Sequence, residues 1–371
     1  MWLRSLQADR LRNLKTVAVE LSGEVTLVTG RNGQGKTSLL EAAYLLGTGH
    51  SFRTRKLDEL VAWPGGPMRA SGRIEGLTGG STLAVVVDGG AKRLFVDGSE
   101  RDLDAFLGRL AMVALTGEAM RTLRDGPDER RRFVDAGIAG LSPAYLRELA
   151  DYRRTLAERN ALLRRDGTGR AAADPAETEA WEERLAVAGT RVHRRRREYL
   201  VGLASRLGPA ERALFPEGGA IGLAYRPSPA RAAEDDPARF AEVFRAALER
   251  CRRRDRALGF TTVGPHRDDV SATLDATDLR RFGSAGQLRA AMVALSAGKL
   301  AFLKEQRGET PLFLMDDFDS DLDEVRARSL LEFLRGGGFQ ALLATSKDGF
   351  VDRLGLPLPR VRIEGGVARN V

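Results

Sequence analysis

Short apolar runs open the chain: Val25-Thr-Leu-Val28, Leu83-Ala-Val-Val-Val87 and Leu94-Phe-Val96, punctuated by Gly65-Gly66, Gly79-Gly80, Gly89-Gly90 and Asp97-Gly98. Runs of this length between glycine pairs predict strands, and the last two pairs bracket a hairpin. Residues 1–115 therefore read as α/β with an antiparallel portion. From about 118 to 256 the apolar period lengthens to that of helices. Trp181, Leu185, Ala188 and Val192 recur at steps of four and three and line one helix face, leaving Arg194–Arg197 on the opposite one. Stretches rich in Gly, Ala, Asp and Pro, from Asp166 to Pro175 and from Pro227 to Pro237, read as loops. After about 257 strand-like runs return, including Pro311-Leu-Phe-Leu-Met315 and Gln340-Ala-Leu-Leu-Ala344. The expected architecture is an α/β domain made from residues 1–117 and 257–371, with a mainly helical domain, 118–256, inserted between them.

A chain of 371 residues, 43% hydrophobic, is long for one core, which supports two domains and excludes a small stapled module. The formal charge is +8, and seven of the 59 basic residues are Lys, leaving 52 Arg. Arginine is the better phosphate fork, so the bias fits a phosphate-rich partner; an Arg- and Ala-heavy proteome would produce it too. A single cysteine, Cys251, excludes an internal disulfide, and His50, His193 and His266 have no zinc spacing. Nowhere is there an apolar run of about 18–20 residues, and the N-terminus is charged every few positions. A cytoplasmic, reducing location away from membranes is expected.

The chemistry concentrates in three segments. Gly30-Arg-Asn-Gly-Gln-Gly-Lys36-Thr37 fits G-x-x-x-x-G-K-[ST] and stands between a strand and the helical run from Ser38 to Leu46. In that context glycines let backbone amides wrap a phosphate at a helix N-terminus. Gly30, Arg31, Asn32, Gly33, Gln34, Gly35, Lys36, Thr37 and Ser38 are the expected nucleotide-binding residues, with Lys36 on the β- and γ-phosphates and the Thr37 hydroxyl on Mg²⁺. The strand ending at Met315 runs into Asp316-Asp317. Neighbouring strand residues point to opposite faces, so Asp316 is assigned to the metal and Asp317 to the attacking water. Gly283-Ser-Ala-Gly-Gln287 opens a further helix, where free amides and the helix dipole favour an anion.

Asn32, the Ser284-Ala-Gly-Gln287 segment and Asp316-Asp-Phe-Asp-Ser-Asp-Leu-Asp323 together resemble the ABC-type ATPases of DNA maintenance, the group that includes SMC and Rad50 proteins. More narrowly, the chain is similar to the RecF family. That likeness rests on Arg12-Asn13, Ser51-Phe-Arg53, Pro127-Asp-Glu-Arg-Arg-Arg-Phe-Val-Asp135, Tyr152-Arg-Arg-Thr-Leu-Ala-Glu-Arg-Asn160 and Gly264-Pro-His-Arg-Asp-Asp269, and it covers nearly the whole chain. The resemblance implies an ABC-type P-loop ATPase fold that uses ATP and Mg²⁺ and forms an ATP-dependent homodimer. Lys36, Thr37 and Asp316 would act in cis, Asp317 on water, and Ser284 and Gln287 on the γ-phosphate of the partner's nucleotide. Asp321 and Asp323 would lie in the loop that crosses the dimer interface. It further implies DNA as a partner, particularly duplex beside single-strand gaps, together with recombination mediator proteins that help load recombinase during repair.

Three departures point to slow hydrolysis. The segment Leu115-Thr-Gly-Glu-Ala119 has no Gln, Ala344-Thr-Ser-Lys347 has no His, and Gly283 replaces an apolar residue. A transporter's nucleotide-binding subunit would carry the Gln and the His. A small-molecule kinase needs no signature segment in trans, and a Rad50-like tether working with a nuclease needs a longer, uninterrupted coiled coil than the insert offers. Arg10, Arg12 and Asn13 are candidates for phosphate contacts or for a solvated strand edge, and His266 and Arg267 for a supporting or a structural role.

Overall fold

The computed structural model describes residues 1–63, 65–76, 79–167, 174–229 and 236–371. The chain divides into a first unit of residues 1–124, 203–221 and 274–371, and a second of 125–202 and 222–273. These bounds differ from the expected insert of 118–256 at both ends. The helix Gly208–Leu214 returns to the first unit, where Ala210 and Leu214 are buried and Leu207 packs so closely on Gly298 that a Cβ there would lie 2.5 Å from it. Residues 257–273 stay in the second unit because the strand Asp269–Leu274 buries every second side chain beside Ile221–Arg226.

The first unit contains two six-stranded sheets. One is antiparallel, in the order Thr16–Glu20, Trp2–Asp9, Met68–Gly76, Gly79–Asp88, Ala91–Val96, Ser99–Arg101. Its two-residue turns, Gly89-Gly90 (φ 55° and 75°) and Asp97-Gly98 (φ 50° and 77°), have positive φ at both positions, as turns matching strand twist require. They bracket the Ala91–Val96 strand, so the expected hairpin is a meander.

The other sheet runs Val367–Asn370, Arg360–Glu364, Val25–Thr29, Gln340–Thr345, Leu312–Met315, Met112–Leu115, and is parallel except for the first pair. Its central strands are buried at every position, which is why they read as unbroken apolar runs. The helix Lys36–Thr48 shares one apolar core with both sheets: Leu39, Leu40, Ala42, Ala43, Leu45 and Leu46 pack with Leu6 and Val85 from one and Val28 and Leu342 from the other.

The second unit is mainly helical, with helices Pro127–Leu141, Ala144–Gly167, Pro175–Ala204 and Pro237–Leu258. Residues 168–173 and 230–235, within the two expected loops, lie outside the described residues. Leu185, Ala188 and Val192 are buried as their spacing predicts, but the Arg194–Arg197 run does not lie wholly on the opposite face. Arg196 is four residues beyond Val192 and so continues the buried stripe; it bonds both Asp135 oxygens at 2.8 and 3.0 Å and Asp268 at 3.1 Å. Arg194 and Arg195 pair with Glu198 and Glu148 nearer the surface.

Arg159 is 0% exposed and bonds Asp255 at 2.8 Å, Thr261 at 2.8 Å and Glu182 at 2.9 Å, while Asn160 Oδ1 accepts from the Thr261 amide and hydroxyl. His193 is buried against Phe240, with ring centroids 3.8 Å apart. Among the described residues no helix is long and apolar enough to cross a membrane.

Two stability predictions follow from the second unit. Replacing Arg159 by Met takes the cationic partner from the buried Asp255, while Glu182 keeps Arg252 at 2.5 Å, so we expect a loss of about 3–5 kcal/mol in chemical denaturation, against under 1 kcal/mol for the exposed Arg194→Met. Burial, then the Arg197 and Arg196 charges, lower the His193 pKa from 6.5 to about 4. The unfolded ring takes up a proton below 6.5 and the folded one resists until about 4, so this contribution is complete above 6.5 and is lost as pH falls through that window. Thermal melts of the wild type and His193→Leu from pH 7.5 to 4 should show the wild type losing more stability.

Candidate functional site

The strand Val25–Thr29 ends in Gly30 at φ 144°, where a Cβ would come 2.3 Å from the Ile363 carbonyl oxygen. Only glycine lets the chain turn there against the neighbouring strand. Gly33 (φ 80°) and Gly35 (φ 117°) complete the loop, and the helix Lys36–Thr48 begins at its end, with the first-turn amides directed into the loop. Arg31, Asn32 and Gly33 are exposed along the loop. Lys36 is nearly buried and its Nζ donates to the Gly30 and Arg31 carbonyls at 2.8 and 3.1 Å. An ammonium held by loop carbonyls beside a helix N-terminus, whose first amides are free, is a fitted cradle for phosphate oxygens.

Across the sheet, Leu312–Met315 delivers Asp316 to the same end. The Thr37 hydroxyl donates to Asp316 Oδ2 at 2.9 Å, joining residues 279 positions apart. Burial raises the Asp316 pKa, the Asp317 charge adds to this, and the Thr37 hydrogen bond opposes it. A cation at these oxygens would relieve the strain on the carboxylate. Among the described residues no three His, Cys, Asp or Glu gather as a complete metal site. Two hard oxygen ligands completed by phosphate and water suit Mg²⁺ and do not suit a metal that needs a protein cage.

Asp317 adopts φ 51°, ψ 41°, unusual for a residue with a side chain. That left-handed step lets the chain leave the strand and bury Phe318, and it leaves the Asp317 carboxylate exposed while Asp316 faces Thr37. The two acids therefore occupy different environments, through the left-handed step at Asp317 and not through strand alternation, since the strand ends at Met315.

The loop is held by residues outside the motif. Asn13 Nδ2 donates to the Gly33 carbonyl at 2.7 Å and its Oδ1 accepts from the Ser38 hydroxyl at 2.7 Å. Gln34 Oε1 accepts from the Gly365 amide at 2.6 Å, so this expected nucleotide residue braces the hairpin beyond the loop. Arg12 makes a bidentate pair with Glu41 at 2.5 and 2.9 Å. Glu41 is 0% exposed and also accepts from the Ser51 hydroxyl, with Arg53 3.8 Å away. Sequence reasoning missed Glu41, although an acid inside the apolar run Leu39–Leu46 signals a buried charge in need of partners.

Ser284 and Gln287 start the helix Ala285–Arg307, where they form a reciprocal cap: Ser284 Oγ accepts from the Gln287 amide at 3.2 Å and Gln287 Oε1 from the Ser284 amide at 2.9 Å. Both are exposed, and among the described residues no hydrogen bond joins them to the phosphate loop. The segment after Met112–Leu115, which pairs with the strand of Asp316, presents Thr116, Gly117 and Glu118 beside the site. Ser346 and Lys347 turn to Asp319: the Ser346 amide donates to it at 3.3 Å and Lys347 Nζ lies 3.6 Å from it.

The family described as the RecF/RecN/SMC N-terminal domain matches residues 2–358. A protein of Myxococcus xanthus described as DNA replication and repair protein RecF is 38% identical over 95% of this chain and 92% of its own length. A namesake from an Anaeromyxobacter species is 36% identical over 99% and 98%. Among solved structures, the recombination mediator protein RecF with ATP in the RecFOR pathway superimposes with a TM-score of 0.88, at 28% identity, over 100% of this chain and 97% of that one. An SMC head bound to the winged-helix domain of ScpA, 14% identical, covers 100% and 97% with a TM-score of 0.59 and shares the fold. With this fold, this family match and these identities across nearly whole chains, the protein belongs to the RecF family and has the ABC-type ATPase fold of RecF proteins and SMC heads.

Proposed function

We propose that the protein is an ATP-switched DNA-binding protein of recombinational repair, which dimerises on ATP, acts at single-strand gaps and duplex junctions to help load recombinase with mediator proteins, and is released by slow hydrolysis. The observation that carries this is the Thr37–Asp316 hydrogen bond beside the Lys36 cradle, since it assembles the nucleotide half-site from both ends of the chain. Support comes also from the RecF–ATP structure and from relatives described as replication and repair proteins.

Lys36 and the loop amides bind the β- and γ-phosphates, and Thr37 and Asp316 hold Mg²⁺. A Mg²⁺ ion held by the Thr37 hydroxyl and Asp316 would supply positive charge to offset that of the phosphates. Asp317, exposed and free of the Thr37 pairing, orients the attacking water and accepts its proton. Ser284 and Gln287 bind the γ-phosphate of a partner's nucleotide, exchanging their mutual cap for contacts that exist only in the closed dimer. That exchange gives ATP a preference for the dimer, which a switch requires. Without a Gln in Leu115–Ala119 or a His in Ala344–Lys347, hydrolysis is slow enough to act as a timer.

Sedimentation with and without ATP should give a dimer only for wild type with ATP. Lys36→Met should neither bind ATP nor dimerise, and Ser284→Arg should bind ATP as a monomer; a wild type that stays monomeric at high ATP and protein concentrations overturns the sandwich. Asp317→Asn should keep the ATP-dependent dimer while hydrolysis, measured as phosphate release, falls by about 10²-fold or more. Asn13→Ala removes two hydrogen bonds from the loop, so ATP affinity by titration calorimetry should drop by roughly tenfold. Gapped duplex should bind more tightly with ATP than without, and binding should weaken steeply with salt.

A further inference from the structure

The segment Gly264–Asp269 is the sequence motif to which the nucleotide site gives no role. In the second unit its polar groups turn inward. His266 Nδ1 shares a hydrogen bond with the Tyr152 hydroxyl at 2.7 Å and Nε2 one with the Thr261 carbonyl at 3.0 Å. Asp268 accepts from Arg196 at 3.1 Å and from the Ser228 amide at 2.8 Å, and Asp269 accepts from Arg130 at 2.7 Å. Gly264, at φ 126°, is packed where a Cβ would come 2.7 Å from the Phe244 ring. Arg267 is the exception: it is exposed, its guanidinium carbon stands 5.3 Å from the Phe260 ring centroid, and among the described residues it has no ion pair. The turn is a rigid mount that presents one guanidinium to solvent.

The helix that leads into Gly259 and Phe260 has the same character on its exposed face. Arg250, Arg254 and Leu258 follow one another at i, i+4 and i+8 on the helix Pro237–Leu258, with Arg253 alongside. The three arginines are exposed and, among the described residues, have neither an ion pair nor a side-chain hydrogen bond. Leu258 is 47% and Phe260 38% exposed. Arg164, also exposed, borders the patch, with its Cγ 3.2 Å from where a Cβ on Gly259 would lie. Between residues 245 and 258 the acids are Glu249 and Asp255, and Asp255 is buried on Arg159. The patch therefore faces only one exposed carboxylate from its own helix.

We propose that this patch binds the sugar-phosphate backbone of DNA and stacks an unpaired base on the Arg267–Phe260 pair. The inference rests on the DNA-binding reading and adds the surface that performs it. Guanidinium forks match phosphate oxygens in a way that is indifferent to sequence. A guanidinium plane held over an aromatic ring is a stacking face for a splayed base, which a duplex-to-single-strand junction supplies. An acidic peptide would match the charge and leave that face unused.

The test uses the full chain with Arg253→Ala, Arg254→Ala and Arg267→Ala combined, and a second variant with Lys at the same three positions. Gapped-duplex affinity should fall at least tenfold in the alanine variant, and the slope of log affinity against log salt should become shallower by about two to three. The lysine variant should keep most of the slope and lose part of the affinity. ATP affinity and thermal midpoint should match the wild type in both. An alanine variant that binds gapped duplex with unchanged affinity and slope overturns the proposal, as does one that keeps DNA and loses poly-glutamate binding. If the wild type itself fails to bind gapped duplex, the DNA-binding reading falls and this inference with it, an outcome distinct from failure in the variant alone.

Discussion

A carboxylate without access to solvent, Glu41, lies in the middle of the helix that the phosphate loop enters, and much of the first unit is arranged to satisfy it. An uncompensated buried charge would cost several kcal/mol. Arg12 answers with a bidentate pair, Ser51 with its hydroxyl and Arg53 from the rim. Arg12 follows the first strand and Ser51 and Arg53 lie in the loop after the helix, so the pairing fixes the end of that strand, the helix and the loop against one another. Asn13, next to Arg12, is thereby delivered to Gly33 and Ser38. The glycine-rich loop Gly30–Gly35 is stiffened by a charge it never touches.

The same economy separates the two halves of the proposed nucleotide site. Lys36, Thr37 and Asp316 meet within one chain because parallel strands carry both loops to the same end of the sheet. Ser284 and Gln287 instead satisfy each other. A cap of this kind is worth about 1 kcal/mol, an amount that a phosphate in contact with the same helix N-terminus can replace. The Ser284–Gln287 segment is thus complete as a helix start, and its use as an anion site belongs to the proposed dimer.

In the second unit buried arginines paired with acids specify the packing of the helices, although both His193 ring nitrogens have no hydrogen-bond partner among the described residues. Arg159 and Arg196 each gather acids from separate elements, and the Gly264–Asp269 turn closes around them. Pairing of this kind adds little net stability compared with an apolar core, and its value lies in excluding other arrangements. Arg196 illustrates why the run Arg194–Arg197 misleads: four identical residues in a row suggest one solvated face, yet helical geometry sends one of them into the core.

What the sequence determined by itself is local. The glycine spacing, the lysine and the helical run after it specify the phosphate loop, because backbone freedom and helix N-terminal amides are properties of a few consecutive residues. Glycine pairs likewise located the turns of the meander, whereas the separation of Asp316 from Asp317 came from a left-handed step beyond the strand. The tertiary structure alone decided what depends on distant partners: that Thr37 bonds Asp316, that Gln34 and Ser38 brace the loop, that Glu41 is its buried anchor, and that residues 203–221 return to the first unit. A charge becomes structural only when burial removes its water, and burial is set by which segments meet, a quantity no stretch of sequence carries within itself.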